Sequence, residues 1–281
     1  MADAPVAVVV PVKGGPLAKT RLGLELASRR DLADAFARDT VAAVRAGLPD
    51  SPVLVVTSDV VASGWAREAG CGVVDDPGAG LDAAVTAGVA QAARAGSRFA
   101  LVLLGDHPAL RPSEIAAVVR ESVHRAPAFV PDADGHGTAC LLVPTGPEAP
   151  ATRFGAGSAA AHAALGYTVL EPDAPGLRTD VDDAGSLADA LGLGVGRWTR
   201  SALARASLPG VQATIHRSPD DGPGSALLDD GVEVRVPLAA LASSGLLHLR
   251  VGQRVSIELD ATGLVATRVW VVGIGDGEPI R

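Results

Sequence analysis

Short apolar runs alternate with amphipathic stretches along the first two hundred residues, and this alternation limits the possible folds more than any other feature of the chain. Ala7-Val8-Val9-Val10-Pro11-Val12 is a continuous apolar run, the signature of a strand buried on both faces of a parallel sheet. A helical pattern follows over 25–47, with Leu32, Phe36, Val41 and Val44 at helical spacing and Gly47 and Pro49 as stops. The spacing then predicts strands over 53–57, 72–74 and 99–104 and helices over 61–69, 81–95 and 113–124, the last capped by Ser113. Strands over 128–130 and 138–143 flank a polar turn at 132–137, followed by a helix over 158–165, a strand over 167–170 and a last helix over 185–191 that ends at Gly192. Alternating elements of this kind predict an α/β fold, a doubly wound, mostly parallel, Rossmann-like sheet.

The texture changes after Arg205. Short β-branched runs at 211–215, 226–228, 232–236, 254–259 and 265–272 are broken by Gly, Asp and Pro. Five strands in so short a segment predict a small all-β barrel of the OB-fold type. The expected organisation is an α/β domain over 1–205, a linker at 206–210 around Leu208-Pro209-Gly210, and a barrel over 211–281.

Composition excludes several function classes. With 48% hydrophobic and 20% charged residues the chain has ample core material and is neither disordered nor fibrous. No apolar run approaches the roughly 20 residues that span a bilayer, so no membrane span is expected. The opening Met-Ala-Asp-Ala-Pro carries an acid where a secretory signal would carry bases, and a cytoplasmic location is expected. A net charge of −8 disfavours general attraction to nucleic acid or anionic lipid, so a phosphate ligand must be met locally. Cys71 and Cys140 sit in apolar surroundings and read as small buried hydrophobes, not as zinc ligands or a disulfide. The only two lysines, Lys13 and Lys19, lie six apart in one loop of a chain whose other cations are all Arg.

In an open α/β sheet, ligands bind beyond the carboxyl ends of the strands. Four polar segments stand there. Lys13-Gly14-Gly15-Pro16-Leu17-Ala18-Lys19-Thr20-Arg21 places three cations on flexible backbone, suited to a triphosphate although it lacks P-loop spacing; the alternative is a solvated basic turn. Asp106 ends an apolar strand and offers a carboxylate to a divalent metal, or is a loop acid or remote cap. Asp180 and Asp182, two apart on an extended segment, project to one face and are able to share that metal; alternatively Asp182 or Asp183 caps the next helix. Thr138 and Phe154-Gly155-Ala156-Gly157-Ser158 supply hydroxyls and backbone N–H groups suited to a small phosphate or carboxylate, or Ser158 is simply an N-cap. His107, His136 and His162 have no zinc-triad spacing and are expected in loops or on the surface, without a catalytic role.

The order of these pieces is more specific than any one of them. Val10-Pro11-Val12-Lys13 with Ala18-Lys19-Thr20-Arg21-Leu22, Asp39-Thr40, Val56-Thr57-Ser58-Asp59, Gly80-Leu81-Asp82, Gly105-Asp106-His107-Pro108-Ala109-Leu110, Gly137-Thr138, Phe154-Gly155-x-Gly157-Ser158 with His162, and Leu177-Arg178-Thr179-Asp180-Val181-Asp182 follow one another as they do in a known family. Residues 1–205 resemble the phosphoenolpyruvate or 2-phospho-L-lactate guanylyltransferases of coenzyme F-420 biosynthesis.

That resemblance implies a nucleotidyltransferase fold and transfer of GMP from GTP to a phosphorylated three-carbon acid, with release of pyrophosphate. It implies catalytic roles for Lys13, Lys19 and Asp106, GTP contacts from Lys13, Lys19, Arg21, Ser58, Gly80 and Asp82, and Mg2+ held by Asp106, Asp180 and Asp182. Thr138, Gly155 and Ser158 match the positions used for phosphoenolpyruvate. The family pattern has Asn where Asp82 stands and usually Leu where His107 stands. Phosphoenolpyruvate is the expected acceptor, with 2-phospho-L-lactate or 3-phosphoglycerate as alternatives; a molybdenum-cofactor type of nucleotidyltransferase is a second reading. The expected partners are these small molecules, with a homodimer left open.

Gln212-Ala213-Thr214-Ile215, residues 229–236 and Gly252-Gln253-Arg254-Val255 resemble a cold-shock domain in their order. Such domains stack bases on aromatic side chains, yet this segment holds only Trp270, and its six Arg face nine acids. A docking or stabilising module is expected in preference to a nucleic-acid-binding regulator.

Overall fold

A computed structural model of the chain describes residues 6–13, 26–146, 151–207, 211–219, 222, 224–229, 231–242, 248–260 and 262–271. It divides into two units, Met1–Leu203 and Ala204–Arg281. The first unit begins with strand β1 (Val6–Pro11), helix α1 (Leu26–Gly47), β2 (Val53–Val56), α2 (Val60–Glu68), β3 (Gly72–Val74), α3 (Leu81–Arg94), β4 (Phe99–Leu103) and α4 (Pro112–Ser122). It continues through β5 (Ala128–Pro131), β6 (Thr138–Pro144), α5 (Ser158–Ala164), β7 (Thr168–Val169), α6 (Pro175–Arg178), α7 (Ala184–Leu193) and α8 (Arg197–Ser207).

These strands form one sheet in the order β3-β2-β1-β4-β6-β5-β7. All six residues of β1 are buried, and their alternation divides the core in two. Val6, Val8 and Val10 join one apolar cluster with Val41 and Val44 of α1, Trp65 of α2 and Ile115 of α4. Ala7 and Val9 join the other, with Ala84, Val85 and Val89 of α3. Helices therefore cover both faces, which is why the strand sequence is continuously apolar. Gly88 lets α3 approach the sheet closely, since a Cβ there would overlap the Val9 side chain.

The sheet is parallel across β3-β2-β1-β4 and again between β5 and β7, but β6 runs antiparallel to both of its neighbours. The fold is thus mixed α/β with parallel pairing dominant. Successive strands leave β1 in opposite directions, β2 on one side and β4 on the other, so the switch point lies between the loops after β1 and β4.

Two local expectations need correction. Ser113 is not the cap of α4; Arg111 is, with Pro112 at the first helical position, because the Glu114 carboxylate reaches back to the Arg111 N–H at 2.9 Å. The helix over 185–191 is not the last one before the all-β segment, because α8 follows it. The N-terminus of α8 is capped from far away: the Trp198 and Thr199 N–H groups donate to the buried Asp39 carboxylate of α1 at 3.1 and 2.7 Å. The short α6 also escaped the sequence reading.

In the second unit, β8 (Val211–Arg217), β9 (Gly224–Leu228), β10 (Glu233–Val236), β11 (Arg254–Leu259) and β12 (Ala266–Val271) form a five-stranded sheet in the order β10-β9-β8-β11-β12. Its core gathers Ala213, Ile215, Ala226, Val234, Val236, Val255, Ile257 and Val269, with Ala240 and Leu241 from a short helix α9 (Leu238–Ala242). Strand neighbours in the sheet pair antiparallel, and the two edges touch through an isolated parallel bridge between Arg235 and Val265. Residues 208–210 of the expected linker lie outside the described residues.

Candidate active site

Asp106 and two acids 74 and 76 residues further along the chain come together beyond the carboxyl end of β4. One oxygen each from Asp106, Asp180 and Asp182 lies within 4.8 Å of the others. Val181, fully buried, points the opposite way and so turns its two acidic neighbours to one side, as the extended spacing predicts. Capping of α7 falls to Asp183, whose carboxylate accepts from the Ser186 N–H at 2.9 Å. The capping alternative therefore falls on Asp183 and leaves Asp180 and Asp182 beside Asp106. The donor set is all carboxylate oxygen, the hard ligand type that suits Mg2+.

Backbone hydrogen bonds hold the two acidic loops together. The Val181 N–H donates to the Asp106 carbonyl at 3.0 Å, and the Gly196 N–H, from the segment between α7 and α8, anchors the first loop through the Pro108 carbonyl at 2.9 Å. The His107 N–H donates to the Thr40 hydroxyl at 3.1 Å, while that hydroxyl donates to the Phe36 carbonyl at 2.8 Å. His107 lies in a loop, one of the two expected settings, but its ring is buried and not on the surface, with Nε2 3.7 Å from Asp106 Oδ1. Glu114 ties in the approach to Asp180 from below, accepting from the Gly176 N–H at 2.9 Å.

The second cluster surrounds Thr138. Strand β6 places Cys140 opposite Leu103, so Thr138, two residues earlier, stands at the end of β4 that leads to Asp106. The preceding turn is shaped by Asp132, which accepts from the His136 and Gly137 N–H groups at 2.9 and 2.7 Å. Arg178 clamps the same turn, donating to the Pro131 and Asp132 carbonyls at 3.2 and 3.0 Å, and its own carbonyl accepts from the Ala133 N–H at 2.8 Å. Since Arg178 stands two residues before Asp180, this clamp joins the two clusters.

Helix α5 meets the turn at its start, where the Ala159 N–H donates to the His136 carbonyl at 3.1 Å. The Gly155 N-terminal approach to it has a positive φ of 120°, and the N-cap is Gly157 in the left-handed region; Ser158 is the buried first helical residue, not the cap. One turn on, His162 is fully buried within α5, which corrects its expected place in a loop or on the surface; exposed His136 matches that expectation. The His162 ring lies between Phe129, Phe154 and Tyr167 at centroid distances of 5.8, 5.3 and 5.5 Å. Its Nδ1 is 2.9 Å from Thr138 Oγ1, and its Nε2 accepts the Arg153 N–H at 3.1 Å. Burial pushes its pKa below the ordinary value, against the opposing pull of the Asp82 carboxylate.

Of the expected nucleotide contacts, Lys13 is exposed just past β1, Ser58 is exposed between β2 and α2, and Gly80, at φ 98°, caps α3. Lys19 and Arg21 lie outside the described residues. Asp82 holds the approach to α5, its Oδ1 accepting from the Thr152 hydroxyl at 2.6 Å and the Phe154 N–H at 3.1 Å. Thr40 and Arg178 stand in the quoted motifs without a role, and Glu114 and Asp132 outside them, because what identifies these positioning residues is a backbone partner that the sequence pattern does not show.

Residues 34–169 match the MobA-like NTP transferase domain. A phosphoenolpyruvate guanylyltransferase of Streptomyces coelicolor is 46% identical over 210 residues, covering 72% of this chain and 98% of that relative. The chain belongs to the phosphoenolpyruvate guanylyltransferase family. Its namesakes in Salinispora arenicola, at 46% identity over 68% of this chain and 90% of theirs, and in Mycolicibacterium smegmatis, at 38% over 70% and 90%, extend the match. The protein is therefore an enzyme of the nucleotidyltransferase class. No helix among the described residues is long and apolar enough to cross a membrane.

Proposed function

We propose that the enzyme transfers GMP from GTP to phosphoenolpyruvate, forming enolpyruvoyl-2-diphospho-5'-guanosine for coenzyme F-420 biosynthesis and releasing pyrophosphate. The observation that carries this reading is the convergence of Asp106, Asp180 and Asp182 at the switch point of the sheet, within a chain of this family. An oxygen of the acceptor's phosphate attacks the α-phosphorus of GTP; the new O–P bond forms as the bond from the α-phosphorus to the bridging oxygen breaks and pyrophosphate departs. No proton and no covalent enzyme intermediate is required.

Asp106, Asp180 and Asp182 would hold Mg2+. Bound there, the ion supplies charge neutralisation on the phosphate oxygens and a common template for both reactants. Lys13, with Lys19 and Arg21, binds the triphosphate, and these cations favour the departing anion more as its charge grows. Ser58, Gly80 and the α3 N-terminus near Asp82 serve the nucleoside side. Thr138, Gly155 and Ser158 bind the acceptor anion. The domain division at 205–211 belongs to the same proposal, as does an OB-like closure of the second unit, which its strand order and the parallel Arg235–Val265 bridge support. A cytoplasmic location and small-molecule partners alone fit this chemistry.

The test is pyrophosphate release with Mg2+ and GTP, comparing phosphoenolpyruvate, 2-phospho-L-lactate and 3-phosphoglycerate. Release with phosphoenolpyruvate well above the other two is expected. A preference for either alternative would replace the acceptor, and no release with any of them from protein that binds GTP would overturn the reading.

A further inference from the structure

The surroundings of His162 fix more than its position. Three aromatic rings hold the imidazole plane from three directions, so its two nitrogens keep separate partners. The backbone N–H of Arg153 is only a donor, and it meets Nε2 at 3.1 Å. Nε2 must therefore offer its lone pair and carry no proton. A neutral ring then bears its proton on Nδ1, which lies 2.9 Å from Thr138 Oγ1 and donates to it. A doubly protonated ring would set its Nε2–H against the Arg153 N–H, and burial works against that charge as well.

The consequence falls on Thr138. Its oxygen already accepts a proton from His162, so its own O–H is directed away from the imidazole. A hydroxyl with a choice of roles is thereby made a donor. Ser158 stands four residues before His162 and so shares its face of α5, which sets the second hydroxyl beside the same arrangement.

We propose that His162 is a positioning residue for the acceptor, which, by holding the Nδ1–H tautomer against Arg153, makes the Thr138 hydroxyl an obligate hydrogen-bond donor to a carboxylate or phosphate oxygen. This rests on the reading of Thr138, Gly155 and Ser158 as the acceptor site. It assigns selectivity for anionic oxygen to a buried ring that never touches substrate.

Two measurements test it. Nitrogen-15 histidine NMR of the wild-type protein is expected to show His162 protonated at Nδ1 and bare at Nε2, with His162→Phe identifying its signals. A ring protonated at Nε2 overturns the proposal whether or not any variant folds. Calorimetric titration with phosphoenolpyruvate in Mg2+ is the second, with GTP titrated into each variant as the control. Thr138→Val and His162→Phe are each expected to weaken phosphoenolpyruvate by about tenfold, the scale of one hydrogen bond to a charged group, with GTP unchanged. His162→Asn, whose amide N–H replaces Nδ1–H, is expected to restore most of the loss. Thr138→Val with undiminished affinity would remove the acceptor-site reading itself. Weakening by Thr138→Val but not by His162→Phe, or His162→Asn no better than His162→Phe, would overturn the role of His162 alone.

Discussion

The Val181 N–H donates to the Asp106 carbonyl at 3.0 Å, a single bond that fixes the separation of the two acidic loops. Because Val181 stands between Asp180 and Asp182 and is itself fully buried, the backbone that carries both acids cannot move away from Asp106 without disturbing the core. Side-chain chemistry is here held in place by main-chain geometry, which isosteric substitution of the acids leaves intact.

Asp106→Asn and Asp180→Asn should accordingly fold and melt within a few degrees of wild type. Each should lower magnesium-dependent turnover by about 100-fold, the usual scale for losing one group that stabilises developing charge. Pyrophosphate release as a function of Mg2+ concentration checks this, and near-normal release from both variants would remove the acids from the metal site.

Asp39→Ala should destabilise the protein by about 2 kcal/mol, since it deprives two N–H groups at the start of α8 of their shared acceptor. Urea unfolding reads the change. Loss of less than about 0.5 kcal/mol would mean that water replaces the cap, as it does at exposed helix ends.

Two helical glycines should respond in opposite senses to alanine. Gly88→Ala forces a methyl group into Val9 and should cost about 1–3 kcal/mol by overpacking. Gly64 in α2 has nothing within 4 Å of the new Cβ, so Gly64→Ala should stabilise by about 0.5–1 kcal/mol through helix propensity and reduced chain entropy. Thermal melts of the pair, measured together, decide it.

Complete burial pushes the Cys140 thiol from its ordinary value of 9.0 up to about 12, a backbone hydrogen bond from Val130 opposing slightly. The thiolate is the reactive form, so native Cys140 should resist alkylation at pH 8 and react only after unfolding. The sign for stability follows from the raised value. Its contribution is complete below pH 9, where the thiol is neutral in both states, and is lost progressively as pH rises toward 12 and the unfolded chain alone ionises. Mass spectrometry of alkylated native protein, and urea midpoints across that range for wild type against Cys140→Ala, test the two statements.

Elements whose cause is local were legible in the sequence. The apolar run of β1, the helical spacing of α1 and the alternation Asp180-Val181-Asp182 each carry their own signal, and the chain order of motifs pointed to the acids that now stand together. Elements caused from a distance were not. Helix α8 carries no acid at its own start because Asp39 supplies the cap from α1, so the local pattern reads as a boundary. Likewise Ser113 is the standard capping residue type, and Arg111 prevails because Glu114 reaches back to it while also holding Gly176. His162 reads as a loop or surface residue because the three aromatics enclosing it come from β5, from the segment before α5 and from the segment before β7.

The reversed direction of β6 separates what must stay constant in this enzyme from what is free to diverge. A parallel strand would arrive from the far side of the sheet and bring its end to the ligand rim; β6 leaves the rim and brings its beginning, directly after a six-residue hairpin tip between Pro131 and Thr138. Tip residues can be exchanged, lengthened or shortened without shifting the register of any strand pair, provided Asp132 and Arg178 still gather the tip's backbone. If the acceptor binds at Thr138 as proposed, that hairpin is the place to build a library for a larger acid, leaving the β3-β2-β1 side of the sheet untouched.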